Sequence, residues 1–325
     1  MSFVAEFARE LHEKEKKNIT YECTPLTTIV PKISKLHDIK LAVFDIYGTM
    51  VQYWRQEFSE SGNTEKALLA AFRKTSDFFN MTEYLEKINP VESPETTLKN
   101  FYHGLIALNH EKKLRNGFTF PEIRIEVVWE AIILILERHG YSISNTDIQS
   151  KYDCAKCMAY YYHFHSLGRG FYENVFNALI DLKRSNILCG ILSNAQFYTE
   201  IDLTLFLRDQ SKNKIDDYLE LFDSDFIYLS YEYGVAKPNP ILFKRLFDAM
   251  KEYQILPHQS VFIGNDLSLD IKPAQEIGMM TAFFCGDTNS AFIHDMYEKV
   301  VPDITFSSWE ELPSKILFFE KSTRK

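Results

Sequence analysis

Two hydrophobic rhythms divide the chain. From Lys40 to Phe44, and again after residue 168, apolar residues come in short unbroken runs: "KLAVF", "NILCGILSN", "FIYLS", "SVFIGND" and "MMTAFFCGD". Runs of this length, closed by Gly, Asn, Asp or Ser, predict strands buried on both faces. Between them "YENVFNALIDLKRS", "ILFKRLFDAMKEY" and "DIKPAQEIG" carry the spacing of helices. Strands that alternate with helices predict a parallel sheet with helices on both faces.

The stretch 52–167 has only the second rhythm. "TEKALLAAFRKTSDFF" and "PEIRIEVVWEAIILILERHG" predict amphipathic helices, the latter starting at Pro121 and stopping at Gly140. Phe3 to about Lys17 predicts one more helix, with Val4, Phe7 and Leu11 on one side, and a Thr/Pro-containing linker runs from there to about Ile39. The expected organisation is therefore an N-terminal extension, 1–38, an α/β core from 39–51 and 168–325, and an all-helical insertion, 52–167, between them.

Composition narrows this picture. The 325 residues are 46% hydrophobic and 25% charged, the balance of a soluble globular protein long enough for two domains. A net charge of −9 argues against nucleic acid or an anionic membrane as partner. The greasiest run, Ala131 to Leu136, stops at Glu137 and is too short to span a bilayer. No signal-peptide pattern opens the chain, so a cytoplasmic location is expected. Five cysteines, few and odd in number, suit reduced thiols. Cys154 and Cys157, with His163 and His165, have the composition of a zinc site, but "KYDCAKCMAYYYHFH" reads as one helix, so they are expected to pack.

In a parallel sheet the chemistry gathers at the carboxyl ends of the strands. Asp45, Ser193 and Asp266 each sit where an apolar run stops, so they should converge on one cleft. The ordered set "FDIYGT", "ILSN", "GVAKPNP" and "IGNDLSLDIKPA" resembles the haloacid dehalogenase superfamily. The resemblance implies a Rossmann-like core with a separate helical cap inserted after the first strand. It implies Asp45 as nucleophile, Thr49 and Ser193 as hydroxyl donors to anionic oxygens, and Lys237 as the cation that steadies the developing charge. Asn194 and Arg169 are candidate substrate contacts. Asp45, Tyr47, Asp266 and Asp270 are the candidate magnesium ligands, because carboxylates, a backbone carbonyl and a phosphate oxygen suit that ion.

Tyr47 poses the chemical question. Phosphatases of the superfamily resemble Asp-x-Asp here, where the second acid protonates the leaving alkoxide, and a phenol with a reference pKa of about 10 is a poor shuttle. Asp-x-Tyr-Gly-Thr resembles the 2-haloacid dehalogenases, in which halide leaves unprotonated and no metal is used. Phe243 stands where those enzymes carry a tyrosine, and Asp266 supplies an acid that a metal-free site does not need. Arg73 could capture a substrate carboxylate or simply be a solvated helix arginine. The expectation is a magnesium-dependent phosphatase acting on a small phosphorylated substrate. The alternatives are a dehalogenase-like hydrolase working through an aspartyl ester, and a ligand-binding protein of the same fold. Substrate identity and oligomeric state are not written in the sequence.

Overall fold

The computed structural model describes residues 2–15, 23–54, 63–143, 150–166, 168–293 and 299–316. Along the chain come α1 (Phe3–Glu15), β1 (Leu41–Phe44), β2 (Val51–Trp54), α2 (Asn63–Phe78), α3 (Thr82–Ile88), α4 (Pro94–Arg115), α5 (Ile125–Glu137), α6 (Lys151–Ser166) and β3 (Gly168–Phe171). There follow α7 (Val175–Arg184), β4 (Leu188–Ser193), α8 (Tyr198–Gln210), β5 (Ile227–Leu229), α9 (Ser230–Tyr233), α10 (Pro240–Glu252), β6 (Ser260–Gly264), α11 (Lys272–Glu276), β7 (Met280–Phe284), β8 (Ile304–Phe306) and α12 (Leu312–Lys315). The expected end of the first helix near Lys17 lies outside the described residues.

Two compact units result, 1–19 with 53–169, and 20–52 with 170–325. The first is helical. Its α5 buries Val128, Trp129, Ile132, Ile133 and Leu136, a stripe at helical spacing. That helix begins at Ile125, four residues after the expected start at Pro121. Phe120 takes a positive φ of 51°, and Arg124, at ψ 114°, is still extended where the helix is entered. α1 belongs to this unit, burying Val4, Ala8 and Leu11. The Cys154–Cys157 pair sits buried on α6, one turn apart on the same face. Burial pushes both thiols up, that of Cys154 to about 12. A cavity of about 330 Å³ lies beside this pair, walled by Phe3, Phe7, Phe78 and Tyr141. No helix among the described residues is long and apolar enough to cross a membrane.

The second unit is the α/β one. Its six strands run in the order β5-β4-β1-β6-β7-β8, and every pairing is parallel. β1 is central and apolar on both faces. Leu41 and Val43 join a cluster with Leu242, Leu246 and Met250 of α10, while Phe44 packs on Phe222 and Trp309. That double burial is why the strand reads as an unbroken apolar run. β8 and α8 were not foreseen from the pattern. β2 and β3 form a separate two-stranded sheet where the chain crosses between the units. The glycine-flanked segment at Arg169 is thus part of a strand.

Candidate active site

Register places the site. Phe44 lies level with Ile191 of β4 and Ile263 of β6. The next residue, Asp45, therefore leaves the sheet level with Leu192, one residue short of Ser193, on one side and with Gly264 on the other. Its amide donates to the Ile263 carbonyl at 2.9 Å, which continues the ladder one residue past the strand. The carboxylate is almost wholly buried, 5% exposed.

The two Asp45 oxygens are treated differently. Oδ1 accepts from the Ser193 hydroxyl at 2.9 Å and from Lys237 Nζ at 2.6 Å. Oδ2 lies 3.2 Å from the Thr49 hydroxyl, which is itself 2.8 Å from Asn265 Oδ1. Lys237 also donates to Asp270 Oδ1 at 2.6 Å, so one ammonium bridges two carboxylates.

The loop carrying Lys237 is fixed at both ends. Asn239 caps α10 by accepting from the Ile241 amide, and Pro240 starts that helix. Asn194 Oδ1 accepts the Lys237 amide at 2.6 Å. The Asn194 amide, a candidate substrate contact on sequence, thus grips the main chain of the lysine loop.

The remaining candidates fall into different places. Asp270 Oδ2 accepts the amides of Asn265 and Asp266 at 3.1 and 3.0 Å. This close wrap needs a glycine at 264, where a Cβ would stand 2.4 Å from Asp270 Oδ2. Asp266 Oδ1 accepts from the amides of Ser268 and Leu269 and from the Ser268 hydroxyl, and so caps the turn after β6. The Tyr47 hydroxyl pairs with Thr199 at 3.0 Å. In the helical unit, the Arg169 guanidinium lies over the rings of Tyr160 and Phe164, and Arg73 pairs with Asp77 and Glu95.

Residues 132–284 match the family model described as haloacid dehalogenase-like hydrolase. Over that stretch the chain is similar to the haloacid dehalogenase-like hydrolases. Two curated relatives, both named glyceraldehyde 3-phosphate phosphatase, are similar to part of this chain. The protein of Pyrococcus furiosus is 30% identical over 33% of this chain and 38% of its own. That of Methanocaldococcus jannaschii is 27% identical over 43% of this chain and 54% of its own. The chain thus spans about half or less of their length. Among solved structures, a 2-haloacid dehalogenase from Pseudomonas syringae shares the fold at 18% identity. Its TM-score is 0.51, over 85% of this chain and 97% of that one.

Electrostatics binds the site together. Burial lowers the proton affinity of Lys237, but the charges of Asp270 and Asp45 outweigh it and raise the ammonium above its usual pKa. Burial pushes the Asp270 carboxyl up to about 7, against the pull of Lys237. Among the described residues no three acidic, histidine or cysteine side chains converge tightly enough to cage a metal ion. The donors at hand are hard oxygens, and magnesium is commonly held by one or two carboxylates together with waters and substrate phosphate. The donor chemistry fits that mode of binding. Asp270 is engaged by Lys237 and the amides of Asn265 and Asp266. Sequence reasoning passed over Asn265, a neutral residue directly before Asp266; only its place at a strand end could have marked it.

Proposed function

We propose that the protein is a magnesium-dependent phosphatase of small phosphorylated metabolites, working in the cytoplasm through an aspartyl-phosphate on Asp45. The observation that supports this reading is the asymmetry of the Asp45 carboxylate. Lys237 and Ser193 anchor Oδ1, while Oδ2 has only the longer contact from Thr49 among the hydrogen bonds described. An anchored carboxylate with one oxygen lightly held is a positioned nucleophile.

Oδ2 attacks phosphorus, the bond to the leaving oxygen breaks, and that oxygen departs with the electron pair. Lys237 and Ser193 balance the charge from fixed positions in a buried site. Water then attacks phosphorus, breaks its bond to Asp45 and releases inorganic phosphate, which restores the carboxylate. Magnesium bound at Asp45 and Asp266 would polarise the phosphoryl oxygens and neutralise their charge. Tyr47, held by Thr199, gives little proton help. Acyl phosphates and phosphoanhydrides, whose oxygens leave unprotonated, therefore suit this site better than alkyl esters. The names of the curated relatives support a small phosphorylated molecule as the substrate class.

A second reading, hydrolysis at carbon by a dehalogenase-like route, is favoured by one arrangement. Asp266 caps its own turn and Asp270 is tied to Lys237. The test is release of phosphate and of chloride by the full chain, each with magnesium and with excess chelator, alongside Asp45→Asn. Phosphate release that needs both magnesium and the Asp45 carboxylate supports the proposal. Chloride release that survives the chelator overturns it in favour of the second reading.

A further inference from the structure

A chain of buried hydrogen bonds leaves the Asp45 turn and ends on Tyr172, the residue that follows β3. The Thr49 hydroxyl is shared between Asp45 Oδ2 at 3.2 Å and Asn265 Oδ1 at 2.8 Å, and Asn265 Nδ2 donates to the Ser290 carbonyl at 2.5 Å. The Ser290 hydroxyl is 3.1 Å from Asp287 Oδ2, which also accepts the Tyr172 hydroxyl at 2.9 Å. Tyr172 and Ser290 hydroxyls are 3.1 Å apart. Asp287, Ser290, Tyr172, Asn265 and Thr49 are all at most 4% exposed. Burial holds the Tyr172 phenol well above its usual pKa, so it stays a donor.

The same tyrosine holds the nucleophile turn a second time. Its amide donates to the Met50 carbonyl at 2.9 Å. Immediately before the two attachments, at Thr49 and Met50, sits Gly48, at φ 83°. A Cβ there would stand 2.4 Å from Asn265 Nδ2 and 3.3 Å from the Ser290 Cβ. The Asn265 amide is thus pressed onto the backbone of the turn. Nothing in the reaction itself uses Tyr172, Asp287 or Ser290.

We infer that Tyr172 is a positioning residue, which acts through Asp287, Ser290 and Asn265 on the Thr49 hydroxyl and so sets the Asp45 carboxylate. The inference rests on the reading of Asp45 as nucleophile. Its physical basis is that buried polar chains have few alternative partners, so each member fixes the next. A misplaced nucleophile loses rate more than affinity.

Tyr172→Phe removes one hydroxyl and keeps the ring on Phe284. With the magnesium-loaded full chain and p-nitrophenyl phosphate, kcat should fall about 10–100-fold while KM stays within about threefold. Thr49→Val combined with Tyr172→Phe should be no slower than the slower single variant, and Thr49→Ser should retain the wild-type response to Tyr172→Phe. Amide exchange of residues 46–51 is read in parallel, because it needs no turnover. It should speed up in Tyr172→Phe while β4 is unchanged. An unchanged kcat in an active enzyme, or rate losses that multiply in the double variant, overturns the inference. A wild type without phosphatase activity refutes the proposed function alone. In that case unchanged exchange in the 46–51 turn still overturns the positioning role, and faster exchange there sustains it.

Discussion

Removing the charge of Lys237 is the most informative perturbation of the site. Its Nζ lies 2.6 Å from Asp45 Oδ1 and 2.6 Å from Asp270 Oδ1, and its side chain is 3% exposed. Lys237→Met keeps the length and removes the ammonium. Two buried carboxylates then face each other with no cation between them. Breaking a buried pair by taking one partner costs about 3–5 kcal/mol. For a unit the size of 20–52 with 170–325, each kcal/mol moves Tm by about 2–4 °C, so the loss at about pH 8 is roughly 6–20 °C. The carboxylates escape repulsion by binding protons. The deficit should therefore shrink toward about pH 5. Lys237→Met with Asp270→Asn, which removes one of the two facing charges, should recover part of the loss at pH 8. Thermal unfolding followed by near-ultraviolet circular dichroism reads wild type and both variants. A Lys237→Met protein within about 2 °C of wild type at pH 8, or a deficit that does not change with pH, refutes the charge argument.

Three further outcomes follow from the same geometry. Tyr47→Asp, checked first for folding, should speed hydrolysis of alkyl phosphates by about 10-fold or more and change acyl phosphates less, measured as phosphate release; uniformly lower rates on both would assign the phenol a positive role. Asp270 has its carboxyl raised to about 7 in the fold, so the folded state binds this proton more tightly than the unfolded chain. Its contribution is full below the ordinary carboxyl range and is lost as pH rises to about 7, so wild type should lose Tm relative to Asp270→Asn over that window and then level off; a constant difference contradicts this. Asp266→Ala should weaken magnesium binding in a calorimetric titration and lower the thermal stability of the turn that the carboxylate caps, by about 1 kcal/mol; unchanged magnesium affinity removes Asp266 from the metal site.

Much of the core was legible because its signals are local. An apolar run that stops at a polar residue is visible without the fold, and parallel register then brings Asp45 and Ser193 to the same edge. Lys237 could be named from its loop, though only the structure shows its ammonium shared between Asp45 and Asp270. Other features were illegible for physical reasons. Asp266 also accepts the first amides of the next turn, and Asn194 also accepts the Lys237 amide; both contacts depend on where the fold places that backbone. Tyr172, Asp287 and Ser290 come from segments more than a hundred residues apart at the widest, and no spacing rule links them. β8 has three residues, too few for a pattern, and α8 interleaves Asp202 and Thr199, both buried, with its apolar positions.

The central claim is that a phosphoryl group, and not carbon, is transferred to Asp45. The direct measurement is turnover in heavy-oxygen water, followed by mass analysis of the phosphate and of the peptide containing Asp45. If water attacks phosphorus in the second step, the label enters phosphate and the Asp45 peptide keeps its mass over many turnovers. If an aspartyl ester is cleaved, water attacks the Asp45 carbonyl carbon and that peptide gains heavy oxygen. Label in phosphate with an unlabelled Asp45 peptide is the predicted result; a labelled Asp45 peptide contradicts the account.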